Sequence, residues 1–101
     1  MKIELKKSQT IIDWINQLKE FQLDNFFDTK ILGRAYDYID KIEYNVENEN
    51  YVKASIRGFD LYEVSFLRDD NGMNAECSCP FQGNCKHIAA VILNKKKIDF
   101  L

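Results

Sequence analysis

All three cysteines of this 101-residue chain, and its only histidine, fall within CSCPFQGNCKH at residues 77–87. The spacing is Cys-x-Cys-x5-Cys-x-His. A disulfide scaffold pairs an even number of cysteines, so an odd count points instead to metal or reactive-thiol chemistry. No Cys-x-x-Cys redox pair is present, and buried structural cysteines would be scattered along core faces rather than gathered. Three thiolates and an imidazole are the donor set of a tetrahedral Zn²⁺ site, with Zn–S near 2.3 Å. Cys77, Cys79, Cys85 and His87 are therefore the expected metal ligands, and Zn²⁺ the expected cofactor.

Four good ligands fill a tetrahedron, whereas a catalytic zinc keeps a position open for water. The zinc deaminases carry His-x-Glu; the corresponding residue after His87-Ile88 is Ala89. The site reads as structural, and no catalytic residue is assigned. Glu63, Asp69, Asp70 and Glu76 are spread over strands and a turn and read as a solvated face. The expectation is a non-enzymatic module with no small-molecule substrate.

The elements that must position the cluster follow from periodicity. In TIIDWINQLKEF, Ile11, Ile15 and Leu18 share a helical face with Trp14 and Phe21 beside it, and Thr10 with Asp13 forms a variant capping box. A shorter helical piece is expected in TKILGRAYDYI, weakened by Gly33. From Lys41 the period becomes two. Ile42, Tyr44 and Val46 form one alternating set, Val52, Ala54 and Ile56 a second, and Tyr62, Val64 and Phe66 a third. Met73, Ala75 and Cys77 form the fourth, after the turn signal Asp70-Asn71-Gly72.

This predicts a four-stranded antiparallel meander with one buried face. Cys77 and Cys79, at i and i+2 near a strand end, face the same way. Phe81-Gln82-Gly83-Asn84 forms the turn, and Gly83 and Asn84 suit its reversal. Cys85 and His87 then open a helix over HIAAVIL, apolar all round and so packed into the sheet. Free N–H groups at that helix start favour thiolates. The fold class is α+β: an N-terminal helix, a four-stranded antiparallel sheet, a zinc knuckle and a short C-terminal helix. The division expected is an N-terminal helical segment over 1–28 and a zinc-binding domain over 29–101, as one compact unit.

The stretch CSCPFQGNCKHIAAVIL resembles the SWIM zinc finger, whose pattern is Cys-x-Cys, a variable gap, then Cys-x-His. The lysine inside Cys-Lys-His, the apolar run after it and GFDLYEV in the preceding strands share the resemblance, which extends over roughly residues 30 to 93. The resemblance implies an accessory module that binds DNA or another protein. It would be part of, or partner to, a helicase-like DNA-directed ATPase of the bacterial Swi/Snf type, whose own domains could be that partner. The chain contains no Gly-x-x-x-x-Gly-Lys-[Ser/Thr] loop, so this stretch is not itself the ATPase.

Composition bounds the rest. Net charge is −2, with no global positive field to draw nucleic acid. Residues 77–101, however, carry four Lys/Arg against one Asp/Glu. Candidate phosphate contacts are Lys86, Lys95, Lys96, Lys97, Arg57 and Arg68. The competing reading of the lysine run is a helix cap, since cations suit a helix C-terminus. The alternative function is protein–protein interaction without nucleic-acid contact. No apolar run approaches the roughly 20 residues that span a bilayer, and MKIELKKSQT lacks a signal-peptide apolar region. The expectation is a cytoplasmic protein with no membrane partner.

Overall fold

The computed structural model describes residues 1–70, 72–81 and 83–96. Asn71 and Gln82 of the two expected turns, and Lys97 of the candidate contacts, lie outside them. Among the described residues the elements run β1 (Lys2–Glu4), α1 (Ile11–Gln17), a 3-10 turn (Glu20–Asn25), α2 (Thr29–Ala35) and a second 3-10 turn (Tyr36–Lys41). Then come β2 (Ile42–Glu47), β3 (Tyr51–Arg57), β4 (Leu61–Arg68), β5 (Gly72–Cys77) and α3 (Lys86–Lys95).

The meander is present, but the sheet has five strands rather than four, in the order β1-β5-β4-β3-β2, with every pairing antiparallel. The added strand is β1. It is three residues long, too short for alternation to announce it. It pairs Lys2 with Asn74, Ile3 with Met73 and Glu4 with Gly72. Gly72 permits this approach: a Cβ there would stand 2.1 Å from the Ile3 carbonyl oxygen. The glycine of the turn signal thus serves close strand packing, since its φ is not positive.

One face of the sheet is buried. Val52, Ala54 and Ile56 of β3, Val64 and Phe66 of β4 and Met73 and Ala75 of β5 form it, and α1 and α3 complete the core with Ile11, Ile15 and Ile88 to Leu93. In β2 the alternation breaks. Tyr44 pairs with Ala54, but Val46 pairs with Lys53 and Glu47 with Val52, so a bulge at Asn45 swaps the faces of the last two residues. Val46 therefore leaves the core set expected of it, and Glu47 reaches the helix side, where Lys95 Nζ lies 2.6 Å from its carboxylate.

Helix α1 starts at the expected box: Asp13 N–H donates to Thr10 Oγ1 at 3.0 Å, and Thr10 N–H donates to Asp13 Oδ2 at 3.1 Å. It buries Ile11, Trp14 and Ile15 and stops at Gln17, because Leu18 is extended. Phe21, expected beside that face, lies past the break in the 3-10 turn and is 75% exposed. In α2, Asp28 caps the start by accepting from Lys30 N–H at 2.9 Å. Within the first 28 residues, Ile3, Ile11, Trp14, Ile15, Leu18, Leu23 and Phe27 all lie in the common core. No helix among the described residues is long and apolar enough to cross a membrane.

Candidate metal centre

β5 ends at Cys77, opposite Val64, so its side chain faces the helix side of the sheet. Cys79 follows two residues later in a bend. The chain then reverses at Gly83, whose φ of 120° is a conformation that side chains disfavour. Asn84 Nδ2 ties the loop down by donating to the Phe26 carbonyl at 2.6 Å. Cys85 is the N-cap of α3, and His87 lies in the first turn, buried with only 3% of its surface exposed.

The ligand atoms of Cys77, Cys79, Cys85 and His87 all lie within 4.8 Å of one another. His87 Nδ1 is 3.6 Å from Cys77 Sγ and 4.0 Å from Cys85 Sγ. A tetrahedron with Zn–S of 2.3 Å and Zn–N of 2.0–2.1 Å has S···N edges of about 3.6 Å and S···S edges of about 3.8 Å. The observed separations match or need to close by about 1 Å. The donor set, its size and its burial therefore fit a zinc ion, and the structure brings together all four residues that spacing selected.

Electrostatics agree. The Cys85 thiol is lowered to about 4, first because Cys77 donates a hydrogen bond to it, then because His87 does, in opposition to burial. No side-chain hydrogen bond closes this N-cap, yet the N–H groups of Ile88 and His87 face the sulfur and favour its thiolate. Cys77 is pushed up, first by donating that hydrogen bond to Cys85 and then by burial. A divalent metal would displace the remaining thiol protons and neutralise the thiolates.

The His87 ring is held by aromatic neighbours, with the Tyr62 ring centroid at 4.7 Å and the Tyr38 ring edge-on at 5.1 Å. Its Nε2 is buried and has no hydrogen-bond partner among the described residues.

The candidate phosphate contacts are divided. Lys95 pairs with Glu47 and lies 4.1 Å from the Tyr44 ring centroid. Lys96 is buried, and its Nζ donates to the Ile15 carbonyl at 3.0 Å. Arg68 clasps the chain before α1, donating from Nε to the Gln9 carbonyl at 2.8 Å and from a terminal nitrogen to the Lys7 carbonyl at 2.9 Å. These three side chains are engaged inside the protein. Lys86 and Arg57 are at the surface near the knuckle, where Arg34 and Lys41 join them around Tyr38 and Phe59. Sequence reasoning passed over Arg34, Lys41 and Phe59. The available signal was Phe59 itself, a large apolar residue in the short β3–β4 turn, where small polar residues are usual.

The SWIM zinc finger family model matches residues 62–96, from β4 to the end of α3. The chain is 31% identical over 68 residues to an uncharacterized protein of Methanocaldococcus jannaschii, MJ1493, over 65% of this chain and 29% of that protein. The chain thus spans less than a third of that relative's length. No solved structure matches the chain. The family match over residues 62–96 and the four converging donors agree on a zinc-binding module.

Proposed function

We propose that this protein is a zinc-stabilised, non-catalytic module for nucleic-acid recognition, serving a helicase-like DNA-directed ATPase as one of its segments or as its partner. The observation that carries the recognition reading is a basic and aromatic surface beside the knuckle. Arg34 and Lys86 line one depression with Tyr38 and Phe59; Lys41 and Arg57 line an adjoining one that shares the same two aromatics. Among these charged side chains only Glu43 opposes the four cations. The zinc supports this surface indirectly, by fixing the end of β5 to the start of α3. The link to an ATPase rests on the resemblance of the Cys-x-Cys…Cys-Lys-His stretch alone.

The same exposed Phe59 and Phe81 would also suit a protein partner, which is the second reading. The deciding experiment is a titration of the zinc-loaded chain with labelled duplex and single-stranded DNA across salt concentrations. Four phosphate contacts on a single strand give a log–log salt slope of about −3, or roughly 50-fold weaker binding from 50 to 200 mM salt. Arg57→Ala and Lys86→Ala should each flatten that slope, and Lys95→Ala should not. No binding at low salt by a zinc-loaded chain would favour the protein partner.

A further inference from the structure

Beside the cluster lies a pocket of about 190 Å³. Its inner lining includes Cys85 and His87, both buried, and there it adjoins the metal centre. Its outer lining includes Phe59, which is fully exposed, and Phe81, which is 54% exposed. Tyr38 and Tyr62 supply aromatic walls, and Arg34 and Lys86 supply positive charge.

We infer that this pocket receives one unstacked base of a single-stranded nucleic acid, with the neighbouring phosphates held by Arg34 and Lys86. This rests on the nucleic-acid reading above and adds the strand type and the mode of contact.

Two observations converge on it. The first is size: a cavity of about 150 Å³ takes up benzene, and at about 190 Å³ this pocket is of the size of a heterocycle. The second is chemistry. Flat aromatic side chains beside cations are the combination that single-strand binders use, stacking bases while neutralising the backbone. A stacked duplex cannot offer a base to a recess of this kind without flipping it, which requires unpairing.

The test uses the zinc-loaded chain and a labelled oligothymidine of roughly eight nucleotides, within the usual range of single-strand site sizes. Its companions are the same strand with abasic positions, and a duplex. Phe59→Ala and Phe81→Ala should each weaken binding to the intact strand about 5- to 150-fold, the effect of one lost stacking partner. Phe59→Trp should retain it. Phe59 is fully exposed, so its truncation leaves the core and zinc content intact, which metal analysis verifies. The abasic strand should bind as weakly as the alanine variants do.

Equal binding of abasic and intact strands, or indifference to both phenylalanines, would overturn the base pocket. The nucleic-acid reading would survive that result if binding still depended on salt and on the cations. Tighter binding to duplex than to single strand would likewise overturn the pocket alone. Absence of binding to all three would remove both.

Discussion

Lys96 Nζ donates to the carbonyl oxygen of Ile15 at 3.0 Å, joining the end of α3 to the last turn of α1 across 81 positions of sequence. The lysine is buried, with 5% of its surface exposed. Helix C-termini leave carbonyls unsatisfied and attract cations. The run Lys95-Lys96 therefore does cap a helix, but the Lys96 side chain caps α1, while its backbone N–H closes the end of α3.

Lys96→Ala should destabilise the fold by about 1–3 kcal/mol, since it strips a buried carbonyl of a charged donor. Thermal or denaturant unfolding measures it. Lys95→Ala, which loses a partly exposed pair with Glu47, should cost no more than about 1 kcal/mol. An equal loss for the two would show that the buried contact adds nothing.

Zinc loading has a definite pH dependence. The hydrogen bond to Cys85, and then burial, raise Cys77, whereas the hydrogen bond from Cys77 lowers Cys85. Zinc must displace thiol protons as it binds, and Cys85 gives its proton up most readily. Affinity should therefore fall with falling pH, about tenfold per unit for each proton released. Fewer than three protons should appear per zinc at pH 7, as a pH-stat would count. In the metal-free form the Cys85 shift acts in the same direction. Its stabilisation is fully present only above the ordinary thiol value of 9.0 and fades as pH drops towards about 4.

Cys79→Ser and His87→Ala should each lose stoichiometric zinc and loosen the junction of β5 with α3. Metal analysis and hydrogen exchange of the α3 amides read the two effects separately. Retention of one zinc per chain by both variants would dismiss these ligands.

Two glycines should respond oppositely to alanine. At Gly72 a methyl would meet the Ile3 carbonyl at 2.1 Å, so β1 must shift and stability should fall. At Gly33, inside α2, nothing lies within 4 Å of an added Cβ. The substitution there should stabilise by about 0.5–1 kcal/mol through helix propensity. Paired melting curves decide both.

Removal of residues 1–28 should abolish cooperative folding, because it strips an edge strand and seven buried side chains from the core. Ile15→Ala alone should cost about 2–5 kcal/mol. A truncated chain that still melted cooperatively with zinc bound would show the remainder to be independent.

Much of this molecule was legible in order of residues. The metal cluster was, because its donors lie within eleven positions and their spacing already faces them together. So were α1 with its Thr10–Asp13 box, the meander from β2 to β5, and the all-round apolar helix α3, whose residues from His87 to Leu93 are buried. These are local patterns of period 3.6 or 2, or local capping. What escaped depended on distant partners. β1 is a strand only because β5 offers it an edge, and the bulge at Asn45 turns Glu47 towards Lys95. Lysines and an arginine that look alike in sequence were sorted by the fold. Lys95, Lys96 and Arg68 turn inward to carboxylate and carbonyl partners, while Arg57 and Lys86 join Arg34 and Lys41 around the knuckle. Charge type is written in the sequence. Which acceptor lies within hydrogen-bond reach is a property of chain segments brought together from as far as 81 positions apart, and only tertiary structure decides it.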